Sequence, residues 1–256
     1  MEVQYKAEAI ILTARDAGSS DRIFTLFSKE YGKISAIAYG VRLSKKRRAG
    51  SLQPFAHLDF ELSKGKGNLY VARQWLTKTS FQKLREDLFL MAHASFLCEL
   101  TNDLWPENEG GQQMFDLILR SFRLLESRNP RIAALAGALK IISAAGFQPC
   151  LQMCVQCGHT AVDNASFSAA CGGVVCASCQ NNGILRPLAK LTPWTKDMRR
   201  FFAFLEDEKI FSEASFGFSV SSQTLSQTEE LLVDYLNCQL ERPLKTVAFL
   251  KELNLK

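Results

Sequence analysis

Apolar and polar residues alternate along residues 1–80 in short segments separated by turn signals. Between Tyr5 and Lys78 the apolar segments recur about every ten residues, which is typical of a small all-β unit. The five predicted strands cover residues 7–13, 23–27, 34–39, 58–62 and 69–76. Five strands in a segment of this length match an OB-fold β-barrel, in which closure removes exposed strand edges.

The pattern changes to helical spacing after Phe81. Apolar residues then recur at intervals of three and four, as at Leu84, Leu88 and Met91. Gly146 follows the helix predicted over residues 131–145 and is suited to end it. Further helices are predicted over residues 193–205, 226–240 and 243–253.

A dense group of cysteines interrupts the helical region. Six of the eight cysteines lie within residues 150–179, and the N-terminus has no predicted secretory signal, so metal binding is favoured over disulfides. Two C-x2-C pairs, Cys154/Cys157 and Cys176/Cys179, are separated by 18 residues, the spacing of a structural four-cysteine zinc site. A redox C-x2-C motif is the alternative, although no βαβ pattern surrounds either pair.

Three further residues near the pairs are open to two interpretations. Cys150, Cys171 and His159 either replace a ligand or lie beside a site that the paired cysteines already complete. Cys98 and Cys238 fall in predicted helices and are interpreted as small apolar residues.

These elements together predict an α+β multidomain protein. An N-terminal five-stranded OB-fold β-barrel would occupy residues 1–80 and bind DNA. An α-helical bundle would follow over residues 81–149 and 181–256, with an inserted four-cysteine zinc-binding module at residues 150–180.

Positive charge is concentrated in the predicted barrel. Residues 1–80 contain 14 Lys and Arg against 7 Asp and Glu, whereas the other 176 residues contain 17 against 19. A run of five cations at residues 42–48 is either a solvated loop or part of a nucleic-acid surface, and the wider excess of cations favours nucleic acid. The candidate DNA-binding residues, chosen by charge and turn placement, are Arg15, Arg22, Lys33, Arg42, Lys45, Lys46, Arg47, Arg48, Lys64 and Lys66.

Five aromatic residues of the barrel are candidates for stacking on nucleic-acid bases. They are Phe24, Tyr39, Phe55, Tyr70 and Trp75. Each is either a core residue or a platform facing a groove, and the sequence leaves this choice open.

Enzymatic and membrane functions have little support. Phosphate-binding, dinucleotide-binding and nucleophile-elbow motifs are absent from the sequence, and four thiolates leave a zinc ion no open position. No uncharged apolar stretch reaches the length of about 18 residues that a membrane span needs. The N-terminal sequence also lacks the features of a signal peptide, so a cytoplasmic protein is expected.

Several separated motifs resemble the bacterial DNA repair protein RecO family. Residues 20–33 (SDRIFTLFSKEYGK), 38–42 (AYGVR) and 52–55 (LQPF) resemble the N-terminal part of its members. The Cys154-x2-Cys157-Gly158 motif, GGVVCASC at residues 172–179 and RPLKTVAFL at residues 242–250 agree in the expected order, so the resemblance covers nearly the whole chain.

The resemblance implies an OB barrel, a helical domain and a structural Zn²⁺ site, and it implies functions in recombination. Members bind single- and double-stranded DNA and anneal complementary strands. They work with RecR to load RecA on DNA coated by single-strand-binding protein (SSB), and some contact the SSB C-terminal tail. A non-enzymatic, cytoplasmic and nucleoid-associated protein without membrane contact is therefore expected.

Two other functional classes stay open. One is a Mg²⁺-dependent nuclease using the carboxylates of Asp16, Asp21, Asp59 and Glu61, although no paired-carboxylate motif marks a metal site. The other is an adaptor that binds only proteins, with the basic unit docking on acidic partners such as an SSB tail.

Overall fold

The chain folds into two compact units. A computed structural model describes residues 4–41, 51–65, 67–160, 164–181, 190–211, 218–240 and 242–254. The first unit consists of Met1–Gly137 together with Ala248–Lys256, and the second of Ala138–Val247. The helices are divided between these units. None of the described helices is both long enough and apolar enough to cross a lipid bilayer.

Five strands of the first unit close into a barrel. They are β1 (Gln4–Ala17), β2 (Asp21–Ser28), β3 (Gly32–Ala38), β4 (His57–Lys64) and β5 (Leu69–Thr79). Their order around the barrel is β1-β2-β3-β5-β4. β3 and β5 are parallel, and the other neighbouring pairs are antiparallel. The predicted five-stranded barrel is confirmed, and each strand lies where the alternation predicts it.

Inward-facing apolar side chains from the strands fill the barrel. Phe24, Leu26, Ile34, Leu58 and Leu62 are completely buried. Burial of one side chain of this size stabilises a fold by about 1.5–3 kcal/mol. The barrel interior is therefore a hydrophobic core that fixes the positions of the turns at both ends.

Helices follow the barrel directly in the chain. They are α1 (Gln82–Glu86), α2 (Leu88–Leu104), α3 (Gln112–Ser127) and α4 (Pro130–Ala144), the last of which continues into the second unit. The side chain of Asp87 accepts hydrogen bonds from the N–H groups of Phe89 and Leu90, which defines the start of α2.

Two phenylalanines with left-handed backbone conformations join the barrel to the helices. Phe55 (φ 72°) precedes β4 and Phe81 (φ 45°) precedes α1. Their rings contact Phe122 of α3 edge to face, with centroids 5.7 and 5.4 Å away. Arg85 donates hydrogen bonds to the carbonyl oxygens of Pro54 and Ser80 on the two approaches. These contacts offset backbone strain of about 1–3 kcal/mol per residue.

The connection between α2 and α3 pairs with the start of β3. The Lys33 N–H donates to the Glu109 carbonyl at 3.0 Å, and the Asn108 N–H donates to the Lys33 carbonyl at 2.7 Å. The two backbones approach so closely that a Cβ atom on Gly32 would overlap the Glu109 carbonyl. A Cβ atom on Gly110 would overlap a phenylalanine ring of β2. Only glycine fits at these two positions.

The structure places Lys33 away from the surface predicted to bind DNA. Its side chain is only 8% exposed, and its ammonium group donates to the Asn102 carbonyl at 2.7 Å. Asn102 lies in the last turn of α2, where the helix dipole favours a cation. Lys33 is a buried contact between the barrel and a helix, because Asn102, distant in sequence, reaches it only in the folded chain.

The second unit combines a small sheet with helices. Its elements are β6 (Ser166–Ser168), β7 (Gly173–Val175), α5 (Ala177–Asn181), β8 (Leu191–Pro193), α6 (Lys196–Glu206), a 3-10 helix (Glu208–Phe211) and α7 (Ser222–Leu240). The sheet order is β7-β6-β8. The last helix, α8 (Lys245–Asn254), begins in this unit and ends in the first.

Two helix starts differ from the prediction. The helix expected from Pro193 begins at Lys196, because Pro193 ends β8 and Thr195 caps the helix by accepting a hydrogen bond from the Met198 N–H. The helix expected from residue 226 begins at Ser222, since its polar first turn carries no apolar spacing.

The carboxylate of Glu8 organises a charged cluster on the barrel. His57 Nε2 lies 2.9 Å from Glu8 Oε1, and Lys78 Nζ lies 2.9 Å from the same oxygen. The His57 ring is buried and contacts the edge of Phe115 on α3, while its Nδ1 atom has no hydrogen-bond partner among the described residues. Burial lowers the pKa of His57, and the Glu8 carboxylate only partly opposes this effect.

We expect the free energy of unfolding to fall as the pH drops below about 6.5. The unfolded chain then binds a proton on His57 that the folded protein, with its lowered pKa, does not bind. Chemical denaturation between pH 5 and 8 would measure this loss, and His57→Gln should flatten it over that range. An equally steep decline in the variant would assign the pH dependence to other groups, such as Glu8.

Candidate nucleic-acid interface and metal centre

The strand register places the barrel turns at two opposite ends. Ala17 pairs with Asp21 at one end, here called the β1–β2 end, and Ser28 pairs with Gly32 at the other, the β2–β3 end. Leu52 also lies at the β1–β2 end, because its carbonyl accepts a hydrogen bond from Arg22. Both Val41 and Leu52 are buried in the barrel core. The chain is therefore anchored in the barrel core at Val41 and again at Leu52.

The ten candidate cations fall into three groups. Arg15 is exposed on β1, and Arg22 on the adjacent β2 forms an ion pair with Asp16 at 3.0 Å. Lys64 is exposed toward the β2–β3 end, where Lys33 is buried. The remaining candidates, Arg42, Lys45, Lys46, Arg47, Arg48 and Lys66, lie outside the described residues.

The five candidate aromatic residues have different environments. Phe24 and Phe55 are buried in the core. Tyr70 contacts the rings of two other tyrosines, and Trp75 donates its indole N–H to Ser51 Oγ at 3.1 Å. Tyr39 is 61% exposed, the highest value for any aromatic residue that the structure describes.

The carboxylates considered for nuclease chemistry do not converge. Asp16 pairs with Arg22, and Asp59 pairs with Lys78 at 3.2 Å. Asp21 accepts hydrogen bonds from the Gly40 N–H at 2.9 Å and the Ser20 hydroxyl, and these lower the pKa of Asp21. Within the described ranges, no carboxylates form a group that could hold a metal ion.

The four paired cysteines meet at one point of the second unit. The sulfur atoms of Cys154, Cys157, Cys176 and Cys179 all lie within 4.8 Å of one another, and those of Cys157 and Cys176 are 3.8 Å apart. A tetrahedral zinc–thiolate centre with bonds of about 2.3 Å has sulfur–sulfur edges of about 3.8 Å. The cluster thus has the size and donor set of a metal site.

Backbone hydrogen bonds fix both C-x2-C turns. In the first turn the Gly158 N–H donates to the Cys154 carbonyl at 2.8 Å, and the Cys154 N–H donates to the His159 carbonyl at 2.9 Å. The second pair begins directly after β7, and Cys179 lies in α5. The Cys176 N–H donates to the sulfur of Cys154 at 3.4 Å, which links the two turns.

The protein environment favours a thiolate at one ligand. Burial raises the pKa of Cys154, but N–H groups from both turns donate to its sulfur and lower the pKa overall. The pKa of Cys179 is raised, because its thiol hydrogen-bonds to Cys157 and lies beside the other sulfurs. A cation bound at the centre would stabilise all four thiolates.

The other cysteines lie outside the cluster. Cys150 and Cys171 are half-buried and His159 is exposed, and none of the three belongs to the metal-ligating group found among the described residues. Cys98 is buried in α2, where burial raises the pKa of its thiol, as expected of a small apolar residue.

The three-stranded sheet beside the cysteine cluster is not predicted from the sequence. Phe167 of β6 is buried and contacts the rings of Trp194 and Tyr235. The alternation in Ser166–Ser168 and the valines of Gly173–Val175 are the only local signals. Strands of three residues are too short for periodicity to separate them from loop.

Comparisons with known proteins agree with the motifs. Residues 1–81 match the family model described as "Recombination protein O N terminal", and residues 85–248 match "Recombination protein O C terminal". The chain belongs to the RecO family. It is 34% identical over 256 residues to the DNA repair protein RecO of Pelotomaculum thermopropionicum, which covers 96% of this chain and 93% of that protein.

Two other relatives carry the same name. The DNA repair protein RecO of Thermoanaerobacter sp. is 29% identical over 256 residues, which covers 97% of each chain. The one from Desulfitobacterium hafniense is 37% identical over 180 residues, covering 70% of this chain and 66% of that protein. This member of the RecO family is a DNA repair protein, and the family's names describe repair and recombination rather than a catalytic reaction, as predicted.

We expect Cys154→Ser and Cys176→Ser to lose bound metal and to unfold at a lower temperature, since each removes one of four converging sulfurs. Cys171→Ser, the matched control, should keep the metal, because its sulfur lies outside the cluster. Inductively coupled plasma mass spectrometry of the purified proteins and thermal denaturation measure both effects. Equal metal loss in all three variants would contradict the ligand assignment.

Proposed function

We propose that this RecO is a DNA-binding recombination mediator. It binds single- and double-stranded DNA through the barrel and anneals complementary strands. Together with RecR it assists the loading of RecA on SSB-coated single strands. The observation that carries the proposal is that the cationic run at residues 42–48 is bounded by Val41 and Leu52, which are both buried in the barrel core.

Ion pairs on the barrel support this location of the excess charge. Lys78 is shared between Glu8 and Asp59, and Arg22 is paired with Asp16. These cations are partly neutralised by their neighbours. Residues 42–50 instead contain five cations and no carboxylate, so they carry the largest uncompensated charge in the barrel sequence.

Annealing follows from the same electrostatics. Two DNA strands repel each other through their phosphates, and each phosphate contact by Lys or Arg releases condensed counterions. A basic surface that holds backbones leaves the base edges free to pair. The candidate cations for this role are those already named, except Lys33, whose ammonium group is occupied inside the protein.

The partners of the proposed complex are inferred from membership of the RecO family. RecR, the SSB C-terminal tail and, indirectly, RecA are the proteins with which this chain would act, in the cytoplasm and at the nucleoid. Within this proposal, residues 1–80 supply DNA binding and residues 81–149 with 181–256 supply the helical domain. Residues 150–180 form the zinc-binding insert.

Zn²⁺ is the metal we propose for the four-cysteine cluster. Thiolate ligands and tetrahedral spacing suit Zn²⁺, and four sulfurs leave no open position, so the ion would be structural. Cys154, Cys157, Cys176 and Cys179 would hold it, and it would hold the two turns together.

Replacing Lys45, Lys46, Arg47 and Arg48 together by Ala should weaken DNA binding and flatten its salt dependence. Loss of four phosphate contacts lowers the log-log slope by up to about 3.6 on duplex DNA. Fluorescence anisotropy across a salt series measures the slope. The matched control replaces four exposed cations outside the barrel, Arg123, Lys196, Arg200 and Lys251, by Ala.

An unchanged slope in the barrel variant, or equal losses in both variants, would remove the run from the DNA surface. Annealing of SSB-coated complementary oligonucleotides should fall in parallel with affinity in the barrel variant alone. Binding to SSB without any DNA affinity at low salt would support the adaptor instead, and cleavage of labelled DNA with Mg²⁺ would support the nuclease.

Removal of the metal should release one Zn²⁺ per chain and destabilise the protein. The cluster replaces a hydrophobic core in a small insert, so metal binding contributes directly to folding. A colorimetric zinc assay during thiol modification measures the stoichiometry. Each kcal/mol lost lowers the midpoint of thermal unfolding by roughly 2–4 °C. A different metal, or an unchanged midpoint, would contradict a structural zinc site.

A further inference from the structure

Tyr39 is the one candidate aromatic residue that the barrel leaves available to a ligand. Of the five candidates, two are buried, Tyr70 is occupied by other rings and the indole of Trp75 is hydrogen-bonded to Ser51. The Tyr39 side chain is 61% exposed. Exposed single aromatics are common, so exposure by itself assigns no role.

The backbone holds Tyr39 in a fixed position. Ala38 before it and Val41 after it are both buried in the barrel core. Gly40 has φ +67°, a left-handed conformation that favours glycine, and its N–H donates to Asp21 Oδ1 at 2.9 Å. The chain therefore leaves the core for two residues between Ala38 and Val41, and this short hydrogen-bonded turn presents the ring to solvent.

Each of the strands beside Tyr39 carries an arginine near the end of β3. On β2, Arg22 pairs with Ala38, the residue next to Tyr39. On β5, Val71 pairs with Ile37 near the end of β3, and the exposed Arg73 follows two residues later. A protein-docking surface needs a continuous apolar patch, and these neighbours do not provide one. An exposed ring beside two arginines fits a polyanion whose bases have exposed faces better than it fits an apolar partner.

We propose that Tyr39 stacks on an unpaired base of single-stranded DNA. The inference rests on the proposed DNA binding and deepens it, because it gives the barrel a contact that duplex DNA cannot make. Cations attract both forms of DNA through phosphates, whereas a base face is available to Tyr39 only in a single strand. Tyr39 is thus a determinant of preference for single strands at the β1–β2 end.

The test compares Tyr39→Ala with the wild-type protein on three ligands of equal length: oligo(dT), a duplex and an abasic oligonucleotide. Stacking on one base predicts an affinity for oligo(dT) about fivefold to 150-fold weaker in the variant. Affinity for the duplex and the abasic strand should change less than twofold, with the salt slope unchanged.

Two further variants serve as controls. Tyr39→Phe keeps the ring and should retain wild-type affinity for oligo(dT). Leu76→Ala removes another exposed apolar side chain of the same barrel, 69% exposed on β5, and should also bind like wild type. Thermal denaturation checks that Tyr39→Ala is folded.

The outcomes separate the two proposals. If the wild type binds none of the three ligands at low salt, DNA binding itself is wrong. If it binds and Tyr39→Ala leaves oligo(dT) affinity unchanged, or weakens all three ligands equally, base stacking is wrong while DNA binding stands.

Discussion

Burial of Val41 and Leu52 on both sides of a cationic run is the constraint on which the β1–β2 end of the barrel depends. Five like charges in seven residues repel one another, by about 1 kcal/mol for each close pair in water. Two apolar side chains in the core stabilise the flanks by about 1.5–3 kcal/mol each. Burial of Val41 and Leu52 thus anchors the chain on both sides of the cationic run. At physiological salt the electric field of the run is screened over about 8 Å.

Hydrophobic burial plays a smaller part around the cysteines. The buried members of that cluster are Val175 and three of the four paired cysteines, so most of its interior consists of groups that a bound cation would stabilise. Phe167 connects this region to the rest of the unit through Trp194 and Tyr235. Phe167 thus holds this region by packing of its ring, and the four cysteine sulfurs converge within it.

Most of the fold was predicted from sequence patterns among neighbouring residues. Short apolar segments separated by turn residues predicted all five barrel strands, and the Cys154/Cys157 and Cys176/Cys179 spacing predicted the four cysteines that converge. Both signals depend on neighbouring residues. Gly146 ends α4 as expected, with its N–H bonded to the Ser143 carbonyl at 3.0 Å.

Properties set by distant residues were not predictable in this way. The sequence around Lys33 is like that of any lysine in a turn. Only the hydrogen bond from its ammonium group to the Asn102 carbonyl shows that the side chain is internal. The exposure of Tyr39 depends on its neighbours Ala38 and Val41 being buried in a core that all five strands build, which no pattern of five aromatic residues reveals. Charge distinguished the barrel from the rest of the sequence, but it did not separate a surface cation from a buried one.

The two glycines that face each other across the barrel and the α2–α3 connection limit how this protein can be divided. A Cβ atom on Gly32 would overlap the Glu109 carbonyl, and a Cβ atom on Gly110 would overlap the Phe27 ring of β2. The barrel and the α2–α3 connection are therefore shaped to fit each other. The barrel therefore cannot be separated from the α2–α3 connection without exposing this contact. A chimera that joins residues 1–80 to another helical scaffold would expose the barrel side of this contact. A fragment meant to fold alone therefore has to extend past Gly110.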